Sequence, residues 1–252
     1  MPDKLLLSYY GDDFTGSTDV MESLSFNGIP TALFLEAPDQ DEVNNFRLKN
    51  SFVSHDRKLK AFGVAGISRS LSPAQMDDEL PIQFEKIAKI PTRYFHYKIC
   101  STFDSSPHIG NIGHAVEIAL RYFPTSFIPL VVGIPLLKRF CVFGNLFANV
   151  NEETFRIDRH PTMSKHPITP MHEADLRRHL GNQTKRSIHL IDVTDLIEEE
   201  NSSTRYRNLS NQGGYILFDV LTNENLQRIG KIIDTGKNNS QQIGRASCRE
   251  RV

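Results

Sequence analysis

The stretch that decides the fold runs from Leu5 to Leu35 and reads LLLSYYGDDFTGSTDVMESLSFNGIPTALFL. Its first apolar run, Leu5–Tyr10, predicts a strand that ends at Gly11. Helical spacing follows over residues 15–27 and stops at Gly28, and a second strand is predicted over Thr31–Leu35. A strand, a helix and another strand in this order are typical of a parallel βαβ unit.

The same alternation continues along the chain. Further strands are predicted over residues 59–67, 93–99, 128–132, 188–191 and 215–220, with helices over 73–90, 109–122, 171–180, a segment ending near 209, and 225–233. Pro81 should break or kink the first of these helices. We therefore expect an α/β fold of three layers: one mostly parallel sheet with helices on both faces. Residues 135–170, with four prolines, predict an irregular insertion in which RFCVFGNLFA and ETFRIDR pair as a hairpin.

Composition and charge exclude several classes of function. The 252 residues include 29 basic and 30 acidic side chains, a balance without the basic patch that nucleic acids or membrane surfaces require. There is no run of 18 apolar residues that could form a membrane span. Three cysteines without regular spacing argue against a disulfide framework. We expect a cytoplasmic protein with no nucleic-acid or membrane partner.

The last ten residues, IGRASCRERV at 243–252, have an unusual origin. They are identical to the translation of one reading frame of a common sequencing-library adapter, in which a stop codon follows next. The alternative is an ordinary basic C-terminal tail. We expect a native domain over residues 1–242, a non-native tail over 243–252, and a natural protein that continues beyond 242.

Ligands of parallel α/β sheets collect at the carboxyl ends of the strands, so the turns there are the candidate sites. Asp12 and Asp13 follow the first strand at the start of a helix. Their carboxylates could accept hydrogen bonds from sugar hydroxyls or take a proton from one, which makes Asp13 a candidate catalytic residue. The alternative is that one of them is only a helix N-cap.

Two more turns carry polar side chains. Arg69 follows the third strand within Ser68-Arg69-Ser70 and could pair with a substrate carboxylate, although a solvated surface arginine is the alternative. The stretch YKICSTFDSSPHIGNIG, residues 97–113, leads from a strand through a loop rich in hydroxyl groups into a helix. Its amides and hydroxyls predict an anion or polyol cradle beside Lys98, unless the loop is merely capped and empty.

Other chemistry is weakly supported. The sequence has no G-x-x-x-x-G-K-[ST] or G-x-G-x-x-G loop, so it shows no known ATP-binding motif. Cys100 with His96 would make a thiol nucleophile, but single residues of these types on a strand are usually packed side chains. His160, His166, His172 and His179 lack the i, i+4 spacing of a helical metal pair, and no metal site is predicted.

Taken together, four segments resemble the four-carbon acid sugar kinase family. They are YGDDFTGSTDV, GISRS, YKICSTFDSSPHIGNIG and HPTMSKHPITPMHEADLRRHLGNQT, and the resemblance spans residues 5–235. It implies that the chain is the N-terminal, sugar-acid-binding domain of a kinase that phosphorylates a tetronate at its terminal hydroxyl. ATP and Mg²⁺ would be held mainly by a missing C-terminal domain, and a homodimer remains open.

The resemblance also implies substrate contacts at Asp13, Arg69 and residues 98–101. These residues are combined with those identified from the polar turns. The predicted substrate-binding set is then Asp12, Asp13, Arg69, Lys98, Ile99, Cys100, Ser101 and Thr102. Cys100 and Asp104 are more similar to the 3-oxo-tetronate branch than to the threonate branch. A non-catalytic sugar-acid-binding module and a zinc hydrolase built on residues 160–179 remain the alternatives.

Overall fold

The computed structural model describes residues 5–48 and 57–235. The strands are β1 Leu5–Gly11, β2 Thr31–Phe34, β3 Arg47–Leu48, β4 Arg57–Lys58, β5 Ala61–Ala65, β6 Thr92–Lys98, β7 Phe127–Val131, β8 Arg139–Val142, β9 Asn145–Val150, β10 Glu153–Arg156, β11 Ile188–Ile191 and β12 Gly214–Phe218. The α-helices are α1 Phe14–Phe26, α2 Gln40–Asn45, α3 Pro73–Ala88, α4 Ile112–Ala119, α5 Leu176–Gly181, α6 Glu199–Ser210 and α7 Asn223–Thr235. The predicted tail at 243–252 and the boundary at 242 lie outside the described residues.

The predicted α/β class is confirmed, but its parallel strands are divided between two sheets. The first sheet has the order β2-β5-β1-β6 and the second the order β11-β12-β7. Every strand pair in both sheets is parallel. Hydrophobic periodicity identifies a buried strand but not its partner, so the sequence could not distinguish one sheet from two.

Helices cover both faces of the first sheet because successive β1 side chains point in opposite directions. The hydroxyl of Tyr9 donates to the carbonyl of Ser17 in α1 at 3.0 Å. The ring of Tyr10 instead packs edge-on against Phe84 of α3, with centroids 5.3 Å apart. One large hydrophobic cluster continues from this α3 face to one face of the second sheet, and a smaller one fills the other face beneath α6 and α7.

The predicted irregular insertion contains more order than expected. β8, β9 and β10 form a three-stranded antiparallel sheet, so the expected hairpin is present with an additional strand. Its β8–β9 turn is fastened to the carboxyl edge of the second sheet by Asp219, which is fully buried. This carboxylate accepts the backbone N–H of Gly144 at 2.9 Å and of Val193 at 3.2 Å. The insertion is therefore anchored at the sheet edge where ligands usually bind.

The break considered at Pro81 is absent. Helix α3 runs through this residue as one element, although a proline there removes one backbone hydrogen bond. Capping by Ser72 and Gln75 at its start, and the burial of Met76, Leu80 and Phe84, outweigh that loss. Helix α2, which begins with a capping box between Asp39 and Glu42, was not predicted from the sequence.

Candidate functional site

The three polar turns predicted from the sequence meet at the carboxyl edge of the first sheet. They follow β5, β1 and β6, which are adjacent strands. Gly11 at the end of β1 pairs with Ala65 on one side and Lys98 on the other. Beyond the strands the backbone of Asp12 keeps the turns together: its N–H donates to the Lys98 carbonyl at 2.9 Å, and its carbonyl accepts from Arg69 at 3.0 Å.

Asp13 is both a helix cap and an ion-pair partner. Its Oδ1 accepts the N–H of Gly16 at 2.6 Å, which caps α1 as the alternative interpretation expected. Its Oδ2 lies 2.7 Å from Nη1 of Arg69. Both oxygens of this carboxylate are thus bonded within the protein, and the residue is about a quarter exposed.

Arg69 is not a solvated surface arginine. Besides Asp13, its Nε and Nη2 atoms donate to Oδ2 of Asp104 at 3.2 and 2.6 Å. The Asp104 side chain is fully buried and also accepts hydrogen bonds from the hydroxyls of Thr102 and Thr169. Two carboxylates therefore fix the guanidinium, which fits the fork geometry of arginine.

Asp12 is the most perturbed carboxyl group of the site. Only 5% of the residue is exposed, and burial raises its pKa to about 7, against the opposing effect of Lys98. Its Oδ2 accepts the N–H of Cys100 at 3.3 Å. Its Oδ1 is buried and has no hydrogen-bond partner among the described residues. A buried polar atom of this kind is costly unless a ligand or water completes it.

Lys98 is fully buried at the end of β6, against the first turn of α1. A Cβ atom placed on Gly16 would lie 2.4 Å from its Nζ and 2.7 Å from Oδ1 of Asp13. Gly16 is therefore the residue that lets the ammonium group reach the start of the helix. The charge of Lys98 lowers the pKa of Asp12, although burial outweighs it.

The remaining predicted residues, 99–102, differ in what they offer a ligand. The side chain of Ile99 packs in the hydrophobic core, so only its backbone is available. Burial raises the pKa of the Cys100 thiol, whose Sγ lies 3.0 Å from Oγ1 of Thr102. A neutral thiol does not fit the nucleophile considered from the sequence. Ser101 and Thr102 are buried in the same loop.

The loop after β6 is held in a strained shape against the Arg69 turn. Phe103 is fully buried and has a left-handed backbone with φ of 56°, which is uncommon for a bulky residue. Gly110 also has positive φ, and a Cβ there would lie 2.6 Å from the carbonyl oxygen of Arg69. Strain of this kind persists only where the surroundings fix it, and it concentrates at ligand sites.

The cradle expected at the start of α4 is occupied by the protein itself. The amide of His114 donates to Asn111, and the amide of Ile112 donates to Gln183 at 2.8 Å. The available polar groups lie nearer the strand end. We use the name site cluster for Asp12, Asp13, Arg69, Lys98 and Asp104.

Sequence reasoning missed several contributors to this site. From the sequence, Asp104 was considered only for its similarity to one branch of the family. Thr169, His179 and Gln183 were not considered as hydrogen-bond partners of the loop after β6. His179 and Gln183 both bond Ser105, at 3.0 and 2.8 Å. The stretch HPITP, which holds Thr169, was quoted for its resemblance, but nothing in its composition indicates that it contacts residue 104.

Two of the four histidines considered as zinc ligands, His160 and His166, accept hydrogen bonds from nearby backbone amides. Nδ1 of His160 accepts the amides of Thr162 and Met163, and Nδ1 of His166 accepts the amide of Thr169. Within residues 5–48 and 57–235, no three His, Cys, Asp or Glu side chains are grouped as a metal ion needs. In the same ranges no helix has the length and apolar character to cross a bilayer.

A well-formed apolar cavity lies elsewhere in the described residues. It has a volume of about 490 Å³ and is lined mainly by apolar side chains of β1, β6, α1 and α7. It includes His96 but no member of the site cluster. We place the candidate site at the carboxyl edge, because converging charged groups and an unsatisfied buried oxygen indicate a ligand there.

The chain has a parallel α/β fold with buried charges at its carboxyl edge, the edge at which proteins of this fold class bind small ligands. The chain belongs to the family described as "Sugar-binding N-terminal domain", whose model matches residues 7–247. The resemblance predicted from the sequence is confirmed at this level.

Curated relatives are sugar-acid kinases of greater length. The chain is 46% identical over 233 residues to the 3-oxo-isoapionate kinase of Paraburkholderia graminis, covering 92% of this chain and 47% of the relative. It is 31% identical over 189 residues to the 3-oxo-tetronate kinase of Cupriavidus necator, covering 74% and 39%. The chain thus spans less than half the length of these two relatives.

Solved structures share the fold. A Salmonella typhimurium protein superposes with a TM-score of 0.78 at 23% identity, covering 96% of this chain and 53% of that one. A Haemophilus influenzae protein gives 0.75 at 24% identity, covering 94% and 53%. A Bordetella bronchiseptica protein, crystallised with bound citrate as a domain-swapped dimer, gives 0.70 at 17% identity, covering 94% and 53%.

Proposed function

We propose that this chain is the substrate-binding part of an ATP-dependent kinase acting on a small sugar acid. The observation that carries the proposal is the site cluster, in which Asp12 presents a buried, unsatisfied carboxylate oxygen at the strand ends. Carboxylates and buried hydroxyls suit a hydroxylated ligand because they complete its hydrogen bonds. The names of the curated relatives supply the class of substrate and the reaction.

The substrate we favour is a 3-oxo sugar acid. The sequence alone indicated 3-oxo-tetronate, threonate or erythronate, whereas the relative at 46% identity is named for 3-oxo-isoapionate. Both names share a 3-oxo acid with hydroxyl groups. We therefore propose a 3-oxo acid of the isoapionate or tetronate type.

The described residues do not fit an ATP and Mg²⁺ site by themselves. In the part of the chain that the structure describes, no three His, Cys, Asp or Glu side chains lie together as metal ligands. Two of the three carboxylates of the site cluster are instead paired with Arg69. We propose that a second half of the protein holds the nucleotide and Mg²⁺, which would supply the phosphoryl group and neutralise its charge.

Exposed apolar side chains around the site support a covering lobe. Phe14 follows Asp13, Ile67 precedes the Arg69 turn, and Ile168 precedes Thr169; they are 52%, 45% and 63% exposed. Phe14 and Ile168 adjoin members of one hydrogen-bonded network, and Ile67 lies two residues before another member, Arg69. Apolar groups gathered at a polar site are typical of a surface that another domain covers.

The test uses the 252-residue chain alone and the same chain joined to the second half of the Paraburkholderia relative. We expect the chain alone to bind erythronate or threonate in saturation-transfer NMR and to leave ATP unchanged. The joined chain should phosphorylate a sugar acid, as followed by ³¹P NMR. ATP-dependent phosphorylation by the chain alone would contradict the proposal. Binding by a folded but inactive joined chain would favour the non-catalytic sugar-acid-binding module.

A further inference from the structure

At pH 8, above the pKa of about 7 for Asp12, the charges of the site cluster are unbalanced. Three carboxyl groups, on Asp12, Asp13 and Asp104, face two cations, on Arg69 and Lys98. Nearby groups do not add positive charge: burial lowers the pKa of His179, which favours its neutral form, and the Cys100 thiol is neutral. An incoming carboxylate would increase the negative charge of a largely buried site, where like charges repel more strongly than in water.

Arg69 is also a poor anchor for a ligand carboxylate. The side-on edge of its guanidinium, formed by Nε and Nη2, is occupied by Asp104. Its Nη1 donates to Asp13. Three of the five guanidinium N–H groups are thus used within the protein, so at most two are left for a ligand carboxylate.

The unsatisfied oxygen of Asp12 needs a hydrogen-bond donor, which a ligand carboxylate is not. At pH 8 the carboxyl group of Asp12, whose pKa is about 7, is ionised and only accepts hydrogen bonds, so its partner must be a donor. Oδ1 is buried, the backbone of Asp12 joins the three turns, and the charge of Lys98 acts on its carboxyl group. A ligand hydroxyl can donate to this oxygen, whereas a ligand carboxylate cannot.

We propose that the site cluster binds the hydroxyl-bearing end of the sugar acid, that Oδ1 of Asp12 accepts a hydrogen bond from a substrate hydroxyl, and that the substrate carboxylate points out of the cluster. This inference rests on the proposed function and adds the orientation of the substrate in the site cluster. It replaces the expectation that Arg69 and Lys98 neutralise the carboxylate. Arg69 instead acts as a positioning residue that holds Asp13 and Asp104.

The test measures, at pH 8, binding of erythronate and of erythritol, a neutral tetritol, to the 252-residue chain and to its Asp12→Asn variant. Asparagine keeps the size of the side chain and removes its charge. We expect the variant to bind both ligands about tenfold more weakly, because a charge-assisted hydrogen bond is lost. Asp77→Asn, an exposed aspartate of α3, is the matched control and should change neither affinity.

The sign of the effect decides the orientation. If the carboxylate lay in the cluster, Asp12→Asn would relieve repulsion and tighten erythronate binding, and erythritol would not bind. Tighter or unchanged erythronate binding by the folded variant therefore overturns the inference and leaves the proposed function standing. Failure of the unaltered chain to bind either ligand overturns the inference and counts against the proposed function as well; phosphorylation by the joined chain tests that function separately.

Discussion

Nη1 of Arg69 lies 2.7 Å from Oδ2 of Asp13, and this contact joins the turn after β5 to the turn after β1. The same guanidinium reaches Asp104 beyond β6, so one side chain connects the ends of three adjacent strands. The candidate site is thus a network whose members fix one another. Its stability and its ligand affinity can be tested separately.

The first prediction concerns Asp12 and pH. Its pKa is raised from 3.8 to about 7 in the folded state, so the folded state holds a proton that the unfolded state has lost between these values. Stability from this group therefore falls as pH rises from 4 to 7, by up to about 4 kcal/mol. Asp12→Asn should increase the free energy of unfolding at pH 8 and much less at pH 4, as measured by urea denaturation. A pH-independent difference would contradict the burial argument.

The second prediction concerns the buried partner of Arg69. Asp104→Asn removes the charge that fixes the guanidinium and should reduce the free energy of unfolding by about 2–3 kcal/mol. Glu85→Gln is the control, since Glu85 forms an exposed ion pair with Lys89, and it should leave the melting temperature unchanged. Equal effects of the two substitutions would show that the Asp104 contact adds nothing to stability.

The third prediction concerns the seating of the loop after β6. Gly110→Ala places a Cβ against the Arg69 carbonyl and in a left-handed backbone. Gly28→Ala shares the positive φ but meets nothing within 4 Å, so it should cost only about 1 kcal/mol. Thermal unfolding should show a larger loss for Gly110→Ala. A similar loss at both positions would mean that the loop does not depend on this close contact.

The fourth prediction concerns the space beside Lys98. Gly16→Ala should displace the buried ammonium or the Asp13 carboxylate and weaken sugar-acid binding several-fold, measured by NMR titration. Gly230→Ala in α7 meets nothing within 4 Å and should stabilise the protein by about 0.5–1 kcal/mol without changing affinity. Unchanged binding in Gly16→Ala would remove Lys98 from the ligand site.

Local sequence patterns predicted which segments form the site. Successive side chains of a strand point to opposite faces, and Tyr9 and Tyr10 of β1 do so. Asp12 and Asp13 follow β1 directly in the sequence and therefore lie at its carboxyl end. Arg69 and Lys98 followed by the same reasoning, because the carboxyl ends of parallel strands share one edge. Whether these residues bind substrate, with Ile99 through its backbone, stays a prediction.

Sequence alone determined the α/β class, the family and the three polar turns. Hydrophobic periodicity, turn residues and strand ends depend on residues that are close together in the sequence, so they can be identified without the structure. Only the tertiary structure decided that the strands form two sheets, that Thr169 contacts Asp104, and that Oδ1 of Asp12 is buried without a partner. The reason is physical: pairing between distant segments, and the solvent exposure that sets a carboxyl pKa, depend on how the whole chain packs around each group.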